Sequence, residues 1–253
     1  MTSAFLSAAE TSMMLCPSKA DGKVMLMHTF MEMLLYKVFA VKFEMHRPHP
    51  KERETMHTFL YRGENFYTFR PRTHQEILVD AFPDDVDKIQ FRPFTKNVYV
   101  TAGSFTEFKK NYIYHPLIDE GYFRQNNFLA RMNIYTLSEK GHDLQKVYKM
   151  RLGEINDGFL SWLKANLDKA LSSTMELGPS IMLIKDFNFK MLDILNLYTR
   201  NRGGTAIAPT NDFAKIESAT LIKFNDLWDE LDTSLDWFQS GGMVGDMPGG
   251  MSI

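Results

Sequence analysis

The sequence predicts an α+β fold that is mostly helical, with antiparallel strands confined to roughly the first 150 residues. Three observations carry this. Three Ser/Thr-x-x-Glu patterns precede apolar residues at helical spacing. Two alternating segments flank a proline-rich charged loop. Beyond Arg151 the strand-like segments stop and the composition turns acidic. At 253 residues, 44% apolar and 24% charged, the chain is long and greasy enough to bury a core, and wholesale disorder is excluded.

The first block, residues 1–70, opens with a helix capped by Ser7, with Glu10 reaching back, and breaks at Cys16-Pro17. After a turn around Asp21-Gly22, a helix is expected from Lys23 to Tyr36. Strands follow at Val38–Glu44 and Thr55–Arg62. Between them, Pro48 and Pro50 forbid helix and suit the exposed loop of a hairpin. The second block, 71–150, starts with a helix from Thr73, with Glu76, to Phe82. A second helix capped by Ser104, with Glu107, runs over Phe105–Asp119. Strands are expected at Gly121–Arg124 and Arg131–Leu137, and Ser138 then caps a further helix.

The run Leu117-Ile118-Asp119-Glu120-Gly121-Tyr122-Phe123, followed after a short loop by Tyr135-Thr136-Leu137-Ser138-Glu139-Lys140-Gly141, resembles the winged-helix superfamily. There the third helix ends at a glycine before the wing, and the returning wing strand runs into a capped helix. Here Gly121 would supply the left-handed cap. The likeness covers about Phe105 to Val147, and the order helix, turn, helix, hairpin extends it to Ser7–Arg62. It implies two tandem winged-helix-like modules and fixes no activity.

Residues 151–239 form an expected helical region, with helices at Glu154–Ser172, Pro179–Thr199 and Leu221–Gln239. The last carries a narrow seam, Leu221, Phe224, Trp228, Leu231, Leu235 and Phe238, suited to a helix partner, with Asp226, Asp229, Glu230, Asp232 and Asp236 on its other faces. Residues 240–253, rich in Gly and Met, form an expected flexible tail. The first 150 residues hold 20 basic and 17 acidic side chains and the remaining 103 hold 9 and 14, giving +3 and −5 and a net −2. That balance argues against a protein that coats nucleic acid non-specifically.

Val24–Val41 is the most apolar stretch, but His28, Glu32 and Lys37 interrupt it, so no membrane insertion is expected. The single cysteine, Cys16, suits a reducing, cytoplasmic setting and is expected as buried filler. His28 is expected buried and hydrogen-bonded on its helix. His46 and His49, with His57 nearby, lack a spaced carboxylate or Cys, so a polar turn is a better reading than a metal site. Gly203-Gly204 lacks phosphate-loop spacing. Tyr112, Tyr114, His115 and Asp119 lie close enough in sequence to line a pocket. No catalytic, cofactor or metal signature emerges, and no cofactor is expected.

The functional expectation follows from the second helix. Met25, Leu26, Met27, Phe30, Met31, Met33, Leu34 and Leu35 make it apolar nearly all round, unlike a helix that reads a DNA groove. A non-enzymatic interaction or scaffold protein is therefore expected, binding a protein partner or forming an oligomer. The alternative is a sequence-specific DNA-binding regulator using the second module. Candidate contacts for either are Arg47, Lys51 and Arg53 in one wing, with Glu52 and Glu54 among them, Lys109 and Lys110 on the later helix, and Arg124 and Arg131 in the second wing.

Overall fold

The computed structural model describes residues 6–47, 51, 53–132, 134–201 and 218–240. Its architecture is α+β: a helical body with one small antiparallel sheet. Helix α1 (Ala8–Leu15) starts in the expected capping box, Glu10 N donating to Ser7 Oγ at 3.1 Å and Ser7 N to Glu10 Oε2 at 2.8 Å. The Asp21 carboxylate caps α2 (Gly22–Leu35), accepting from Lys23 N at 2.7 Å.

Strands β1 (Phe39–His46) and β2 (Thr55–Arg62) pair from Phe39↔Arg62 to His46↔Thr55. A short β3 (Lys88–Gln90) adds to β2, giving the order β1-β2-β3. Helix α3 (Thr73–Asp80) lies between. Its cap position is Arg72, whose N–H donates to Gln75 Oε1 at 2.9 Å, so the expected Thr73–Glu76 box is displaced by one residue.

Helix α4 (Phe91–Ala102) was not foreseen. Pro93 sits in its first turn, where a missing N–H is harmless. The buried residues Phe91, Phe94, Val98 and Ala102 keep helical spacing and could have revealed it. Helix α5 runs without a break from 105 to 119: an α-helical start at Phe105–Glu107, a π-helical middle at Phe108–Tyr114 and an α-helical end at His115–Asp119. Ser104 caps it as expected, accepting from Glu107 N at 3.1 Å.

The second hairpin is largely absent. Among the described residues there, only Phe123 and Leu137 form an antiparallel bridge, extended by Arg124 N to Thr136 O and Ser138 N to Tyr122 O, each 2.9 Å. Asn126 instead caps a short helix α6 (Asn127–Arg131), accepting from Leu129 N at 3.1 Å. The amide-rich Gln125-Asn126-Asn127 caps a helix more readily than it extends a strand.

Ser138 caps α7 (Glu139–Ala165). Asn166 ends it and caps α8 (Leu167–Leu177), which splits the helix expected at Glu154–Ser172. Gly178–Leu183 is a 3-10 turn rather than the start of a long helix, and α9 (Phe189–Asn201) begins only after Asp186, whose φ is 58°. Helix α10 (Ser218–Gln239) closes the body. Gly203-Gly204, His49 and residues 241–253 lie outside the described residues.

The core is one connected cluster from Leu6 to Leu235, continuous across residues 70 and 150. Its centre is aromatic: Phe30 packs on Phe39, Phe91 and Phe94 with ring centroids 6.3, 5.4 and 5.8 Å away. Among the described residues, no helix is long and apolar enough to cross a membrane.

Candidate functional site

Helix α2 is buried from Met25 to Leu35. Helices α1, α3 and α10, strand β1 and the π-helical part of α5 all pack against it. Its methionines and leucines from Met25 to Leu35 are buried. Among the described residues, no side chain from Met25 to Leu35 is exposed, so this stretch offers no surface that could enter a groove or cover a macromolecular partner.

The α10 seam is filled from within the chain. Leu231, Leu235 and Phe238 are buried, Trp228 is half-buried, and the helix packs on α2, α4 and α9. Lys23 Nζ ties it to α2 through Asp232 at 2.7 Å and Asp236 at 2.5 Å. The expected helix partner is thus this chain's own body. Leu221 and Phe224 fall in the opening turns of α10, whose side chains lie outside the described set.

The basic candidates separate into different settings. Arg47, Lys51 and Arg53 are exposed, and the β1–β2 register gathers them at the hairpin tip. Just below the tip, Met45 and Met56 pair across the strands and are 54% and 59% exposed. Lys109 stands apart from them: it is only 8% exposed, donates to Ala20 O at 3.3 Å and lies 5.2 Å from the Tyr135 ring. Burial pushes its pKa down despite nearby Asp21. Lys110 is half-buried, while Arg124 is exposed ahead of α6 and Arg131 is exposed in its last turn. The same short helix shows Phe128, 72% exposed, beside Met132 and Ile134.

The base of the hairpin is pinned by polar contacts. Glu44 accepts from Tyr61 Oη and pairs with Lys88 at 2.6 Å, and Lys42 Nζ sits 4.5 Å over the Tyr61 ring. Thr58 Oγ1 donates to Glu230 on α10 at 2.8 Å. The hairpin is therefore rooted in the body, with Met45, Arg47, Arg53 and Met56 exposed beyond that base. His46 and His57 stand edge to face, 5.4 Å apart, but among the described residues no three His, Cys, Asp or Glu side chains are placed to hold a metal.

Sequence reading missed a buried ionic cluster between α1, α2 and α3. Arg72 Nη1 reaches both carboxylate oxygens of Glu10 at 2.9 Å and lies 3.6 Å from Glu120. His74 Nδ1 stands 3.8 Å from Glu10, and Glu32 is wholly buried beside the group, with Oε2 lacking a hydrogen-bond partner. Burial, with the Glu10 charge, pushes the Glu32 carboxyl up to about 8, so it is mostly protonated at neutral pH. Burial also pushes His74 down, toward the neutral form. The arrangement clamps three helices to one another.

The other expectations resolve plainly. Tyr114 is in the core, donating to Arg124 O at 2.9 Å, while His115 and Asp119 are exposed, so this set is split between interior and surface. Cys16 is exposed at the end of α1, not buried. His28 is buried, as expected, but its Nδ1 lacks the hydrogen bond expected of it. No protein-family model, curated protein or solved structure matches this chain.

Proposed function

We propose that the protein is a non-enzymatic interaction module whose β1–β2 hairpin is presented to a protein partner. One observation carries the reading: an exposed Met45–Met56 pair, with the exposed cations Arg47 and Arg53 next to it, on a hairpin whose base is fixed to the body. Unbranched, polarisable methionines fit an apolar surface adaptably. The cations at the tip favour an acidic rim around it. The winged-helix resemblance belongs to the same reading. The order α1, turn, α2, hairpin supports it, with the helix that would enter a groove turned inward and the wing left as the contact element.

A duplex-reading role finds less support, because Lys109 is occupied inside the fold. The test is a photo-cross-linking amino acid at position 56 in cells that carry this protein. A discrete protein adduct, lost when Arg47, Lys51 and Arg53 are changed to Glu, is expected. Adducts to nucleic acid alone, or none, would contradict the proposal.

A further inference from the structure

A cleft separate from the hairpin opens where α2, α10 and the segment between the 3-10 turn and α9 meet. Its volume is about 520 Å³, within the range of roughly 300–1,000 Å³ typical of small-molecule sites. The floor is apolar: Met182, Ile184, Phe187 and Phe189 line it, and the Trp228 ring stands 5.4 Å from His28. Two exposed carboxylates, Asp186 and Asp229, stand at its edge. Among the described residues no ion pair engages either, and no lysine or arginine lines the cleft.

Among the described residues, His28 is the only other ionisable group lining the cleft. It is buried, and its Nδ1 has no hydrogen-bond partner. Unpaired polar atoms in a dry wall cost free energy, and a bound donor or acceptor offsets that cost. Burial pushes the imidazole down to about 4, so at neutral pH it adds no positive charge to oppose a cation. The aromatic face of Trp228 is itself attractive to cations.

From the aromatic floor, the unpaired carboxylates and the uncompensated imidazole, we infer that this cleft binds a small organic cation with an aromatic or apolar body. The body lies against Trp228 and Phe187, and the ammonium is held between Asp186 and Asp229. Such a ligand is recognised by shape and charge together, so a neutral isostere binds more weakly and an anionic one is excluded.

The test uses the full chain and three matched probes in calorimetric titration: 2-phenylethylamine, 2-phenylethanol and 3-phenylpropanoate. Saturable one-to-one binding of the amine is expected, weaker by about fivefold for the alcohol, as two exposed ion pairs would give, with none for the carboxylate. The Asp186→Asn/Asp229→Asn variant should bring the amine to the level of the alcohol. Both sites are exposed, and asparagine tolerates the left-handed backbone at 186, so folding is expected to survive. Equal binding of amine and alcohol, no saturation at millimolar amine, or an unchanged affinity in the double variant would each overturn the inference. The probe series on the unaltered protein decides the matter even if the variant fails to fold.

Discussion

The junctions after α2 and after α5 are built alike and then diverge. After α2, Lys37 adopts a left-handed φ of 54°, Val38 N bonds to Met33 O, and Lys37 N bonds to Leu34 O. After α5, Gly121 has a φ of 80°, Tyr122 N bonds to Leu117 O, and Gly121 N bonds to Ile118 O. Both are the same helix-ending motif. Each feeds a buried phenylalanine, Phe39 or Phe123, and each is met by a returning amide, Gly63 N on Val38 O and Ser138 N on Tyr122 O. Beyond that point the first hairpin continues to His46↔Thr55, whereas the second stops at one bridge. The junction is set by local backbone bonding, but the length of the hairpin depends on its side chains. Phe39 to His46 offers alternating large residues, while Gln125-Asn126-Asn127 offers amides that cap a helix.

The sharpest test of this likeness is truncation at the equivalent anchors. Phe39→Ala and Phe123→Ala should each cost about 3–5 kcal/mol in urea unfolding, because both rings are core residues. A small loss at Phe123 alone would show that the second junction is peripheral.

Helix α2 also buries two ionisable side chains with opposite pH responses. Helix α2 holds a carboxyl, Glu32, raised to about 8, and stability is therefore lost as pH rises from the usual carboxylate range through 8. His28, lowered to about 4, acts at the other end: stability is lost as pH falls from about 6.5 toward 4. Between pH 6.5 and 8 the Glu32 slope stands clear of His28 and amounts to at most about 2 kcal/mol. Glu32→Gln should abolish that slope in urea midpoints, and an undiminished slope would place its origin elsewhere.

Exchanging the two junction residues gives a smaller effect of opposite sign. Lys37→Gly should stabilise and Gly121→Lys should destabilise, each by about 1 kcal/mol, since only glycine adopts that backbone without strain. At the hairpin tip, Met45→Asp and Met56→Asp should move stability by no more than about 0.5 kcal/mol, because both side chains are exposed.

Much of the fold was legible in the sequence because its signals are local. The Ser7, Ser104 and Ser138 caps, the Gly121 turn and the first hairpin each rest on residues within a few positions of one another. What stayed hidden needs distant partners. Nothing near Lys109 in sequence announces the carbonyl of Ala20 that holds it inside, and nothing near Leu231 announces that α2 and α4 fill its seam. The Glu10–Arg72 pair spans 62 residues, and the His28–Trp228 wall spans far more. Hairpin cations could be named from the loop prolines around them, but the exposure of Met45 and Met56 depends on where the body ends.

Hydrogen–deuterium exchange across α2 bears on all of this most directly. With α2 sealed inside the chain, its amides from Leu26 to Leu35 should exchange only through global unfolding and rank among the slowest in the protein, while those of Phe128–Met132 exchange early. Fast exchange along α2 would mean that the helix is open to solvent, and its exclusion from partner and DNA contact would no longer stand.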